Sequence, residues 1–365
     1  MPLVPKHIKK LPPYKFVKPI SEIQHELGLE RVIKLDLNEN PLGPSPNVVR
    51  AAKKSLKNCH RYPDSGAFEL RSRLAERFNL KISNVILGIG SEGVMSNIMR
   101  TFLGPDDELI GAQNSFIGFR ILAKASGVRK NWIPMKNYQY DLQAIADAIN
   151  EYTKIIYLAN PDNPTGSYFS IDEFDAFMKK VPDRVLVILD EAYFEYVRER
   201  SDYPDSTHYR YDNLITLRTF SKAYGMAGFR VGYGLSHENL INNLLKIKLL
   251  FEPSAPAQAG AVAALDDEDY LKISLVSNNK GRKLLEETFQ ELGLQYLPSV
   301  TNFITLVFKN EKSAAEFTRN MLHRGVILRH LVKWGLPECV RITIGAPEEN
   351  EFFIEQLSDM SLTSS

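Results

Sequence analysis

Cysteine is scarce: Cys59 and Cys339 are the only two in 365 residues, and neither sits at a metal-ligand or disulfide-framework spacing. A disulfide-stapled fold and a cysteine-based zinc site are thereby excluded, and a reducing compartment is expected. Net charge is equally scarce. Forty-five Lys and Arg against 44 Asp and Glu leave a formal +1, which gives no general attraction to nucleic acid or an anionic membrane. No apolar run approaches the roughly 20 residues of a membrane span. The basic start between Lys6 and Lys18 is broken by prolines and has no apolar stretch after it, unlike an export signal. A cytoplasmic protein is expected. Internal repeats and low-complexity segments are absent too, and what remains is ordinary globular composition, 44% apolar and 24% charged, in a chain too long for one core.

From about residue 85, short apolar runs alternate with amphipathic segments, the pattern of βα units around a mostly parallel sheet. Strands are expected at 85–87, 108–112, 154–159, 184–189, 214–219 and 230–235, with helices at 94–103 and 116–126. The runs at 154–159 and 184–189 are almost continuously apolar, as strands buried on both faces are. Ligands of open α/β sheets sit beyond the carboxyl ends of strands, and Asn163, Asp190 and Lys222 all fall there. A breaker-rich segment at 251–256 precedes helices at 258–265 and 270–292, a strand at 303–308, a helix at 312–324 and strands at 326–329 and 340–344. The expected organisation is an arm at 1–40 packed on the small unit or a partner subunit, a large domain at 41–260 and a small α+β domain at 261–365.

The run Thr219-Phe220-Ser221-Lys222-Ala223-Tyr224-Gly225, followed by Ala227-Gly228-Phe229-Arg230, sets one lysine among small, polar and cationic neighbours. A lysine amine condenses with an aldehyde only while part of it is unprotonated, which desolvation or a nearby cation provides. We read Lys222 as such a Schiff-base lysine. Ser221 and Arg230 suit a phosphate, and an aldehyde and a phosphate on one molecule point to pyridoxal 5'-phosphate. Asn160-Pro161-Asp162-Asn163-Pro164-Thr165-Gly166 packs turn residues behind a buried strand, and Asn163 there can donate to the cofactor's phenolic oxygen. Asp190 closes the most apolar strand, where a carboxylate needs a cation: the protonated pyridine nitrogen, or a neighbouring Lys or Arg. Tyr193, three residues on, can reach the same phenolic oxygen.

Gly88-Ile89-Gly90-Ser91-Glu92-Gly93 lies between a strand and a helix and offers the amides of Gly90, Ser91 and Glu92 to a phosphate. It also spells the dinucleotide fingerprint, but the acidic residue required at the end of the next strand is missing, because Asp106, Asp107 and Glu108 stand at its start. A single phosphate fits better than a nicotinamide dinucleotide. Phe116, at a strand's carboxyl edge, either stacks on the pyridine ring or fills the core. Arg341, a guanidinium in an apolar strand, needs an anion such as a substrate carboxylate or phosphate. Arg329 either assists it or lies on the surface.

These motifs, in this order, resemble the fold-type I aminotransferases, and more narrowly the histidinol-phosphate aminotransferase family. Leu37-Asn38-Glu39-Asn40-Pro41-Leu42-Gly43-Pro44-Ser45-Pro46 is similar to that family's N-terminal signature, and Leu11-Pro12-Pro13-Tyr14 to its opening arm. Arg61-Tyr62-Pro63-Asp64, Asn163-Pro164-Thr165-Gly166, Asp190-Glu191-Ala192-Tyr193, Ser221-Lys222 with Arg230, and Arg341-Ile342-Thr343-Ile344-Gly345 extend the resemblance over nearly the whole chain. It implies an α/β fold, a large domain with a mostly parallel central sheet flanked by helices plus a smaller α+β C-terminal domain. It implies ping-pong transfer of an amino group through Lys222 between glutamate and a phosphorylated ketone, in histidine biosynthesis. Thr219 would join Ser221, Arg230 and the amides of Ser91 and Glu92 at the phosphate, and Tyr62 would reach it from the second subunit of a homodimer. Arg341, with Tyr14, Asn163 and Arg329, would receive the substrate's anionic group. Two departures stand out: Phe116 occupies the place of a usual tyrosine, and residues 251–254 differ from the usual Pro-Phe-Asn. Aromatic-amino-acid and other phosphorylated-substrate aminotransferases, and phospho-amino-acid decarboxylases, share the motifs. A ligand-sensing regulator of this fold would need a basic helix-turn-helix, and none is visible.

Overall fold

In the computed structural model, which describes residues 3–13 and 18–362, the apolar runs become the strands of a central sheet. After a short first strand, Ile33–Lys34 (β1), come Val85–Gly88 (β2), Glu108–Ala112 (β3), Arg129–Ile133 (β4), Thr153–Ala159 (β5), Leu186–Asp190 (β6), Leu214–Thr219 (β7) and Gly232–Ser236 (β8). The last seven form one sheet in the order β2-β8-β7-β6-β5-β3-β4. Only β8 runs antiparallel to its neighbours. The carboxyl ends of β2, β3, β5, β6 and β7 therefore share one edge with the start of β8.

The continuous apolar runs are explained by two covered faces. Ile155, Tyr157 and Ile188 pack with Val94, Met95, Ile98 and Phe119 of the helices Gly90–Phe102 and Ile117–Ser126. Ile156, Leu158, Val187 and Leu189 pack on the opposite side with Phe174 and Phe177 of the helix Ile171–Met178. Each such side chain contributes roughly 1.5–3 kcal/mol of burial. The edge strand β4 was missed in the sequence because Arg129-Lys130-Asn131-Trp132-Ile133 has no buried residue and so needs no apolar run.

A second sheet holds Tyr296–Leu297 (β9), Phe303–Val307 (β10), Arg329–His330 (β12) and Cys339–Thr343 (β13) in the order β12-β13-β10-β9, all antiparallel. Val326–Ile327 (β11) pairs instead with β1 in a separate parallel ladder. The single strand expected at 326–329 is thus two strands in two sheets, because Leu328 turns its side chain into the core between them. Ile33 and Leu35 from the N-terminal segment enter the same core as Ile304, Leu306, Val340, Phe317 and Phe353. The helix Glu268–Glu291 spans the two units: Leu271 packs with Val85 and Tyr233, whereas Leu285 and Phe289 belong to the second core. Among the described residues no helix is long and apolar enough to cross a membrane.

Candidate active site

At the shared edge of the large sheet lies a cavity. Gly90, Ser91 and Glu92 bound one end with Thr219, Ser221 and Arg230, and Asn163, Asp190, Tyr193, Phe116 and Lys222 complete it with Ala159, Pro161 and Ala192. The helix expected from residue 94 begins at Gly90, so these glycine-loop amides are first-turn N–H groups without intrahelical acceptors, beside the positive end of the helix dipole. Gly90 has φ +76°, and a Cβ there would stand 2.7 Å from Arg230 Nη2. A glycine is what lets the guanidinium approach the helix start. Arg230 Nη1 donates to Ser221 Oγ at 3.3 Å, and Thr219 Oγ1 donates to the same oxygen at 3.0 Å. The Ser221 proton is left free to donate into the cavity.

Asp190 ends β6 fully inside. Its Oδ2 accepts from Tyr157 Oη at 2.7 Å and its Oδ1 from the Ala192 amide at 3.2 Å. Burial pushes its carboxyl up to about 6, against these hydrogen bonds and the attraction of Lys222. The alternative of a lysine or arginine partner belongs to the next residue: Glu191, on the other side of the strand end, meets Arg218 Nη2 at 2.7 Å, and Asp205 meets the same nitrogen at 2.7 Å. Asp190 therefore keeps a carboxylate that has only neutral hydrogen-bond donors and lines the cavity.

Lys222 Nζ donates to the carbonyl oxygens of Leu37 and Asn38, both at 3.3 Å. Burial first, then Arg341 and Arg230, bring its amine down to about 8. A depressed lysine pKa stabilises the native protein above the ordinary lysine range, and that contribution is lost as pH falls through about 8. Reductive methylation of the cofactor-free protein, followed peptide by peptide, should accordingly accelerate at Lys222 with a midpoint near pH 8, while exposed lysines titrate about two units higher. A Lys222 midpoint indistinguishable from theirs would contradict this environment.

The turn 160–166 is fixed by a buried network absent from the sequence reading. Asp162 accepts from Ser115 Oγ at 2.6 Å and Thr165 Oγ1 at 2.9 Å, and Tyr140 Oη donates to Ser115 at 2.8 Å. Asn163 Oδ1 accepts from Arg341 Nη1, which leaves its NH2 group free for another acceptor. Tyr193 Oη accepts from Asn38 Nδ2 at 2.8 Å and retains its own proton. Arg341, in β13 and 3% exposed, spends Nη2 on the Asp36 carbonyl at 2.8 Å and has no partner for Nε. Burial, with Arg329 alongside, lowers its pKa to about 10.

Arg329 lies between the two alternatives, partly buried and already paired. Its Nη2 meets Asp36 Oδ2 at 2.6 Å. Tyr62 lies away from the cavity lining, exposed and stacked on Phe251 with ring centroids 4.1 Å apart; Tyr14 falls outside the described residues. Sequence reasoning named no role for Asp36, Asn38 or Tyr157. Only Tyr157 carried a signal, since a hydroxyl in a strand buried on both faces requires a partner.

A family model for aminotransferase class I and II matches residues 30–357. The chain belongs to that family. Among relatives, this aminotransferase is 40% identical over 97% of its length to histidinol-phosphate aminotransferase 2 of Carboxydothermus hydrogenoformans, covering 98% of that chain. It is 41% identical to histidinol-phosphate aminotransferase 1 of Nitrosococcus oceani, over 96% of this chain and 94% of that one. The crystal structure of histidinol-phosphate aminotransferase from Sinorhizobium meliloti in complex with pyridoxal 5'-phosphate superposes with a TM-score of 0.92 at 28% identity, covering 100% of this chain and 99% of that one. Aspartate aminotransferase from Thermus thermophilus, with maleate, shares the fold at a TM-score of 0.84 and 18% identity, covering 98% and 100% of the two chains.

Proposed function

We propose that this chain is a pyridoxal-phosphate-dependent aminotransferase that passes an amino group between glutamate and the histidinol phosphate couple, in a ping-pong sequence that serves histidine biosynthesis. The observation that carries this reading is the convergence on one cavity of an anion cradle, a deprotonatable lysine and a buried carboxylate without a cationic partner. Those three features fit a phosphate, an aldehyde and a protonated ring nitrogen. When bound, the cofactor supplies an aldehyde that takes up amines and a protonated ring that accepts electron density from the bond broken at the substrate's Cα.

The residues divide the work by chemistry. Thr219, Ser221, Arg230 and the amides of Gly90, Ser91 and Glu92 would hold the phosphate. Asp190 would keep the proton on the ring nitrogen, Asn163 Nδ2 and Tyr193 Oη would donate to the phenolic oxygen, and Phe116 would cover a ring face. Lys222 Nζ would take up and return the proton of the substrate's Cα, a role suited to an amine near pH 8. Arg341, with unpartnered Nε, would receive the substrate's carboxylate or phosphate, with Asn163, Arg329 and Tyr14 around it. Tyr62 would serve the phosphate of a second copy, which makes the functional unit a homodimer. We further propose the domain division 41–260 and 261–365 with residues 1–40 as an arm. Two free cysteines suit a cytoplasmic setting.

Turnover of histidinol phosphate, phenylalanine and phosphoserine with 2-oxoglutarate, side by side, tests the substrate. Histidinol phosphate should be used fastest, and no activity on it would sink the assignment. Arg341→Ala should lower kcat/KM for both glutamate and histidinol phosphate by roughly 10- to 150-fold, the loss of a charged hydrogen-bonded contact. An unchanged kcat/KM for either would remove Arg341 from that substrate's site.

A further inference from the structure

Arg329 and Arg341 stand directly opposite one another on β12 and β13, and Asp36 joins both. Its carboxylate takes Arg329 Nη2 at 2.6 Å, and its backbone carbonyl takes Arg341 Nη2 at 2.8 Å. Asp36 is 3% exposed, and its second oxygen, Oδ1, has no hydrogen-bond partner. Lys34 Nζ lies 3.9 Å from that oxygen but is engaged by Glu39 at 2.7 Å. The groups facing Asp36 are thus Arg329, Lys34, Arg341 and, more distantly, Glu39. With Lys34 and Glu39 neutralising each other, two guanidiniums and one carboxylate leave the cluster with a single positive charge.

One positive charge matches a carboxylate. A phosphate monoester carries close to two negative charges above its second pKa of about 6, and it matches the same cluster only after Asp36 has become neutral. We propose that Asp36 is a specificity-determining residue that sets the charge of the substrate-anion site: ionised for a carboxylate substrate, protonated from solvent for a phosphate ester. In the carboxylate complex Arg329 stays on Asp36. In the phosphate complex Asp36 takes one proton from water, Arg329 is released to the dianion, and the protonated carboxyl remains buried without a charge to compensate. Burial holds the Asp36 carboxyl above its ordinary value, against the pull of Arg329, Lys34 and Arg341. Asp36 acts through Arg329 and is a positioning residue. The inference rests on the proposed role of Arg341.

The test has two arms on the cofactor-loaded enzyme. Asp36→Asn keeps the shape and an acceptor for Arg329 but removes the charge. The ratio of kcat/KM for histidinol phosphate to that for glutamate should rise about tenfold or more, the scale of one charged contact, whereas a merely structural role would lower both together. The second arm needs no variant. Calorimetry at pH 8 in two buffers of different ionisation heat should show uptake of about one proton when imidazolylethyl phosphate binds, and none for the singly charged sulfate ester of the same alcohol. An unchanged ratio, or phosphate binding without proton uptake, overturns the proposal. If instead Arg341→Ala affects neither substrate, the reading of the site itself has failed, which separates the two outcomes.

Discussion

Lys222→Ala is expected to abolish transamination, lowering turnover at least about 10⁴-fold, because the proposed mechanism makes this one group both nucleophilic amine and proton carrier. Stability should barely move. The amine makes only two 3.3 Å hydrogen bonds, to the carbonyls of Leu37 and Asn38, and a lysine whose pKa burial depresses is not a net source of native stability at neutral pH. Borohydride treatment of the cofactor-loaded protein should fix the cofactor to Lys222 in the unmutated chain and to no residue in the variant. The phosphate cradle does not involve Lys222, so the variant should still bind pyridoxal phosphate. Residual activity within a hundredfold of the unmutated protein would assign the proton transfer to another group.

Asp190→Ala should lose about 3–5 kcal/mol of interaction with the charged ring, as broken buried ion pairs do, equivalent to roughly 100- to 5,000-fold in turnover. Asp190→Asn is the sharper control, because it retains an acceptor for Tyr157 and removes only the charge. It should fall nearly as far as alanine. The pH dependence follows from burial. A carboxyl raised to about 6 favours the native state at low pH and loses that contribution as pH rises through 6. A cation bound against it relieves the loss, so the gain in Tm on adding the cofactor should grow between about pH 5 and 7, and the growth should vanish in Asp190→Asn. Turnover of either variant within threefold of the original would refute the assignment.

Much of the fold was legible because burial on two faces writes itself as an unbroken apolar run: β5 and β6 could be read that way, and β7 matched residue for residue. The edge strand β4 lacked that signature, and the β11–β12 break lay inside the single strand expected at 326–329, whose two ends join different sheets. The shared location of Asn163, Asp190 and Lys222 on one cavity was likewise readable, since the carboxyl ends of strands in an open sheet gather at one edge. Asp36 with Arg329, 293 positions apart, and Asn38 with Tyr193, 155 apart, were not. Their pairing is created by how β1 and the second sheet close over the first, and no local pattern encodes it. Tyr62 and Tyr14 remain outside what one chain's described residues bring to the cavity.

The hydrogen bond from Arg341 to Asn163 would let one amide serve both proposed ligands: its oxygen accepts from Arg341, and its nitrogen would be left to donate to the cofactor's phenolic oxygen. Thermodynamic reciprocity then applies. Whatever an arriving anion does to that bond must alter the hold on the cofactor, and the cofactor must alter the anion's affinity by the same factor. On the proposed roles, retention of the cofactor and recognition of the substrate would be a single linked equilibrium, with a side chain of one turn as its pivot.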